Sequence, residues 1–108
     1  MLNERMVIKH FDKVVRRLGT IYKHAGEFED IRKLVDKCNE IIVERLGFRI
    51  NSRQPCRFKI VNSEIIRESC NELLELMYKI ERSDCKDPRI LRRADEIIRC
   101  LEFIIIEC

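Results

Sequence analysis

The residues of this chain able to do chemistry are few in kind: two histidines, fourteen arginines, a row of glutamates and six cysteines. Imidazole is suited to proton transfer near neutral pH, and guanidinium to gripping a phosphate. With Phe11 set at heptad position a, His10, Arg17 and His24 share one line of a helix, and Asn3 extends it. That stripe borders an apolar face. His10 and His24 are 14 residues apart, about 21 Å of helix, so within one chain they reach neither a common metal nor a common substrate atom. Two-fold symmetry is the arrangement that would unite copies. Glu64, Glu68, Glu72 and Glu75 also share a helix face. Such rows build metal sites in bundles when they point inward; with basic neighbours this one reads as a solvated acidic face, and no metal or other cofactor is expected.

Two short patterns resemble those of known families. Arg17-x6-His24 and Arg5-x4-His10 resemble the loose Arg-x(4–6)-His pattern of the HEPN ribonucleases. The resemblance spans eight residues at most. It implies an all-α dimer with Arg17 and His24 as candidate catalytic residues beside a scissile phosphate. The family's motif lies late in its domain and has a polar residue after the arginine; here it is early, and Leu18 follows Arg17. Glu72-x-x-Glu75 and Glu81-x-x-Asp84 look similar to the magnesium-binding segments of all-α nucleotide pyrophosphatases. That family carries its two segments on different helices, and here only five residues separate them.

A second chemistry lies in the middle of the chain. Arg45, Arg49, Arg53, Arg57 and Lys59 occur with no acid between Glu44 and Glu64, and Phe48 and Phe58 interleave with them. Basic residues alternating with aromatics hold single-stranded nucleic acid through phosphate contacts and base stacking. The five cations are therefore the candidate contact for nucleic acid or another anionic ligand. The alternative is a charged loop whose aromatics cap the bundle.

The six cysteines are too far apart for a Cys-x-x-Cys zinc or redox motif. Cys38, Cys70 and Cys108 fall on apolar seams, with Cys100 beside one, as small hydrophobes. Cys56 and Cys85 fall outside the helices, and a bridge between them is a hypothesis for a thiol titration. No Gly-rich phosphate loop, nucleophile elbow or helix-turn-helix signature is present.

The elements that must position these residues announce themselves by period. Val7, Phe11, Val14, Leu18, Ile21 and Ala25 follow a 3-4-3-4 rhythm, and so do Ile66, Cys70, Leu73, Met77 and Ile80. Ile90, Ala94, Ile97, Leu101, Ile104 and Cys108 repeat it, and Phe28, Ile31, Val35, Cys38 and Ile42 make a fourth seam flanked by Leu34 and Ile41. The expected helices are about 3–25, 27–46, 63–82 and 88–107. Gly26 and Gly47 are placed as left-handed stops, and Asp87-Pro88 is a strong start signal. Asn62 or Ser63 is the expected cap of the third helix. Gly19, inside the first helix, is a site where a break is possible. Short links within each hairpin predict two antiparallel pairs and an up-and-down four-helix bundle, all-α, as a single domain over 1–108. Pro55 forbids a helix through the basic crossover, about 48–62. Phe48 to Ile50 and Cys56 to Ile60 alternate like strands; a plain extended crossover is expected there, with a small β-hairpin around Asn51 to Pro55 as the alternative. Cys38-Asn39-Glu40-Ile41-Ile42 echoes Cys70-Asn71-Glu72-Leu73-Leu74, but two copies do not make a repeat array.

Composition narrows the class. With 45% apolar and 38% charged residues the chain is globular with a charged exterior. A net charge of +3 is too mild to argue nucleic-acid binding by itself. Its longest apolar run is Phe103 to Ile106, so no membrane span is expected. The opening residues lack an apolar leader, which suggests a cytoplasmic protein. One glutamine and one threonine against sixteen isoleucines point to a heat-adapted source. Ile8, Val15 and Tyr22 beside the first seam, and Leu91, Ile98 and Ile105 beside the last, leave more apolar surface than a monomer covers; Phe103 and Ile106 add to it. A C2 homodimer is the expected solution. The leading functional expectation is a non-enzymatic interaction or assembly module whose partner is itself, followed by a nucleic-acid contact through residues 45–59, then a HEPN-like dimeric ribonuclease.

Overall fold

The computed structural model describes residues 4–47 and 63–108, together with the backbone of two short strands between them. In order, the elements are α1 (Glu4–Ala25), α2 (Glu29–Glu44), β1 (Arg49–Asn51), β2 (Gln54–Arg57), α3 (Ser63–Glu81) and α4 (Pro88–Glu107). The four helices form a ring in which α1 packs on α2, α2 on α3, α3 on α4 and α4 back on α1, the last being the most extensive contact. One apolar cluster fills the ring and draws on all four. The radius of gyration, 13.3 Å, is about that of a compact chain of this length.

Apart from Phe28 and the half-buried Cys108, the seams bury as their spacing requires. Val7, Phe11, Val14, Leu18, Ile21 and Ala25 are all buried on α1, and Ile90, Ala94, Ile97, Leu101 and Ile104 on α4. The ends follow local chemistry. Gly26 and Gly47 take φ of 50° and 63°, where a Cβ would clash with its own backbone, and so turn the chain out of α1 and α2. Asp87 stands at the N-cap of α4, its Oδ1 accepting from the Arg89 N–H at 2.9 Å, with Pro88 at the first helical position.

Two possibilities are not realised and two expectations need correction. Gly19 does not break α1, which runs through it; the flanking seam residues hold the turn in place. α2 begins at Glu29 rather than Glu27, and Phe28, the expected first seam residue, is its N-cap and 45% exposed. No side chain caps that end; Glu29 and Asp30 in the first turn supply the favourable charge. The segment after α2 is not a plain extended crossover. β1 and β2 pair antiparallel, with Asn51 opposite Gln54 and Arg49 opposite Arg57. The register slips by one residue between those pairs; Pro55, which has no N–H to give, lies within the slip. Finally, Cys85 is a buried free thiol, so the bridge to Cys56 is not made. Cys85 lies where the α1–α2 turn meets the α3–α4 connection. The ribbon leaves α2 at its other end, about 24 Å of helix away.

The flanks of the first and last helices are covered in part within the chain, Tyr22 of α1 staying 38% exposed. Ile8, Val15 and Ile105 pack partly buried against the core, and Ile98 is buried. What remains exposed on α4 is Phe103 and Ile106.

Candidate functional site

The α1–α4 seam gathers His10, Arg17 and Cys100 of the side chains singled out by type. His10 of α1 lies against Phe103 of α4, ring centroids 4.5 Å apart, and seven residues along α1 Arg17 pairs with Glu96, seven residues back along α4. The two helices therefore run in opposite directions here. Glu96 serves two cations: Arg17 donates through Nε, and Arg93 through Nη1 at 3.0 Å. A further bond from Arg17 Nη1 to the Lys13 carbonyl fixes the guanidinium in place. The bond from Arg17 holds the Glu96 carboxyl below its ordinary value, and Arg93 adds to this against the opposing effect of burial.

Cys100 lies one turn along α4 from Glu96, and Arg17 and Lys13 both favour its thiolate. Burial outweighs them and pushes the thiol up, so Cys100 is not an activated nucleophile. His10 is pulled the other way. Burial, then Lys13 and Lys9, lower its pKa, with Glu107 opposing. Its Nδ1 is buried with no hydrogen-bond partner among the described residues. A neutral ring on Phe103 with one nitrogen sealed off is a packing histidine.

Arg17 and His24, the pair a ribonuclease reading requires, are not brought to one point. Arg17 is held by Glu96. His24 lies a helix end away, near enough to Asp87 to favour that carboxylate electrostatically. The acidic row of α3 faces outward: Glu64, Glu68 and Glu75 are exposed, and Glu72 pairs with Arg45 at the end of α2. Among the described residues no three His, Cys, Asp or Glu side chains converge to hold a metal ion. A depression of about 400 Å³ at the far end of the bundle is rimmed by Glu27, Glu29, Asp30 and Asp84 around Phe28 and Cys85.

No family model, curated protein or solved structure matches this chain. The site must therefore be read from its own geometry. Of the five basic candidates, Arg45 is engaged with Glu72, Arg49 and Arg57 are partners across the ribbon, and Arg53 and Lys59 lie outside the described residues. Glu96 is the residue that sequence reasoning missed. Loop lengths pair only helices adjacent in sequence, whereas Glu96 reaches Arg17 across the contact that closes the ring. The available signal was the i, i+3 spacing of Arg93 and Glu96 on the polar border of the α4 seam.

On the outer side of α4, Asp95, Arg99, Glu102 and Ile106 recur at spacings 4, 3 and 4 and are all exposed. Asp95 and Arg99 pair at 3.2 Å. Ile106 is 78% exposed, the most open large apolar side chain among the described residues, with Phe103 beside it at 36%. No helix of the described chain is long and apolar enough to cross a membrane.

Proposed function

We propose that this chain is a non-enzymatic interaction module that assembles with a second copy of itself through the outer face of α4. In this reading the four helices are two antiparallel hairpins in up-and-down order. The exposure of Ile106 carries the proposal: an isoleucine this open, next to an exposed phenylalanine, sits on a helix whose other apolar residues turn inward. An isologous interface needs a patch that complements itself. Asp95 and Glu102 on one stripe with Arg99 supply both signs around the apolar pair. The engagement of Arg17 with Glu96 favours a binding module over a hydrolase. Free thiols at all five described cysteines suit a reducing compartment such as the cytoplasm. The test is Ile106→Glu, which places a carboxylate in the centre of the contact. Sedimentation equilibrium at matched concentration shows a weakened dimer with unchanged helicity if the face is right; a dimer of undiminished strength rejects it.

A further inference from the structure

Independently of that interface, the charge of this molecule is segregated. The five cations from Arg45 to Lys59 exceed the net charge of the whole chain, +3, so the other residues together carry −2. Such asymmetry marks a polyanion contact more than a solubility device. The backbone concentrates it. Arg49 and Arg57 are direct cross-strand partners, which sets their Cα atoms about 4.5–5.5 Å apart. Like charges directly opposite one another in a ladder destabilise the pairing, and a bound polyanion removes that cost. Among the described residues each strand packs chiefly on the other rather than on a helix. Arg45, at the base of the ribbon, is already neutralised by Glu72, with Glu68 nearby. Four of the five cations are arginine, whose planar fork matches phosphate oxygens.

We propose that the β1–β2 ribbon binds the phosphodiester backbone of a nucleic acid, with Arg49 and Arg57, opposite each other in the backbone register, as its contacts and Arg45 held in reserve by Glu72. The probes are a labelled 20-nucleotide single strand and a 20-base-pair duplex, titrated with the full chain by fluorescence anisotropy between 50 and 200 mM KCl. Two phosphate contacts contribute about 1.4 to the log–log salt slope on a single strand and about 1.8 on a duplex. Arg49→Gln with Arg57→Gln is expected to remove that much slope and at least about tenfold in affinity at 100 mM. Lys23→Gln with Lys79→Gln, an equal charge change on exposed helix positions, leaves the slope unchanged. Glu72→Gln, which frees Arg45 without touching the ribbon, tightens binding about 5–8-fold at 100 mM by adding one contact. Equal loss in the two double variants, no binding by the wild type at 50 mM, or no gain in Glu72→Gln overturns the proposal. So does loss of binding to anionic vesicles in Arg49→Gln with Arg57→Gln while nucleic-acid binding persists, which assigns the ribbon to a lipid surface.

Discussion

Replacing Glu96 by Gln asks whether Arg17 is a structural or a catalytic arginine. Its carboxylate lies between Arg17 and Arg93, with side-chain exposures of 30%, 29% and 39% respectively. Fully exposed ion pairs contribute about 0.2–1 kcal/mol, and hydrogen bonds to charged groups about 1.5–3 kcal/mol. A carboxylate about one-third exposed and shared by two guanidinium groups falls between, at about 1–2 kcal/mol. Removing its charge also leaves two cations facing each other across the α1–α4 seam. In a domain of this size that loss lowers Tm by about 5–10 °C. Thermal unfolding at pH 7 and fixed protein concentration measures it, since a dimer's Tm varies with concentration. A double-mutant cycle with Arg17→Met isolates the pair and should give a coupling of about 1 kcal/mol. The pH dependence has a definite sign. The Glu96 carboxyl is held below the ordinary glutamate value of 4.5, so its stabilisation is complete above 4.5 and is lost as pH falls through the folded value. Glu96→Gln lacks that acid-side loss. A Tm change under 2 °C, together with a coupling below about 0.3 kcal/mol, would refute the argument that Arg17 is committed to this ion pair.

Three other outcomes follow from the same geometry. Gly19→Ala fills open space in a continuous helix and should stabilise by about 0.5–1 kcal/mol in urea unfolding, whereas Gly26→Ala, at φ of 50°, should destabilise. Under native conditions a thiol reagent should modify Cys100 and Cys108 well before Cys38 and Cys70, which burial pushes up to about 12; denatured without reductant, the chain should titrate at least five thiols. His10, lowered by burial and by Lys13 and Lys9, binds its proton more weakly folded than unfolded, so stability should rise with pH up to about 6.5; His10→Phe should abolish that slope, and a persisting slope would show another group to be responsible.

The sequence made the seams legible because burial on a helix imposes a period that few other constraints imitate. Gly26, Gly47 and the Asp87-Pro88 pair were equally legible, since left-handed φ and a fixed proline φ are local requirements. What escaped was set by tertiary contact. The α1–α4 closure, and with it the Arg17–Glu96 pair and His10 on Phe103, joins residues far apart in the chain, and loop length gives no hint of it. The outward turn of Phe28 escaped because the 3-4 spacing of the α2 seam carries on to the residue just before its first helical residue, Glu29. The ribbon was visible only as a short alternation around Pro55, too brief to separate a paired hairpin from a single extended strand. The flanks of α1 and α4, read from sequence as surplus apolar surface, proved largely covered within the chain; Phe103 and Ile106 alone keep that argument alive on α4.

The most direct test of the account is the mass of the unmodified chain in solution, measured by light scattering at micromolar concentration. Assembly through the α4 face predicts about 26 kDa, twice the 13.0 kDa of one chain; a steady 13.0 kDa across that range would contradict it.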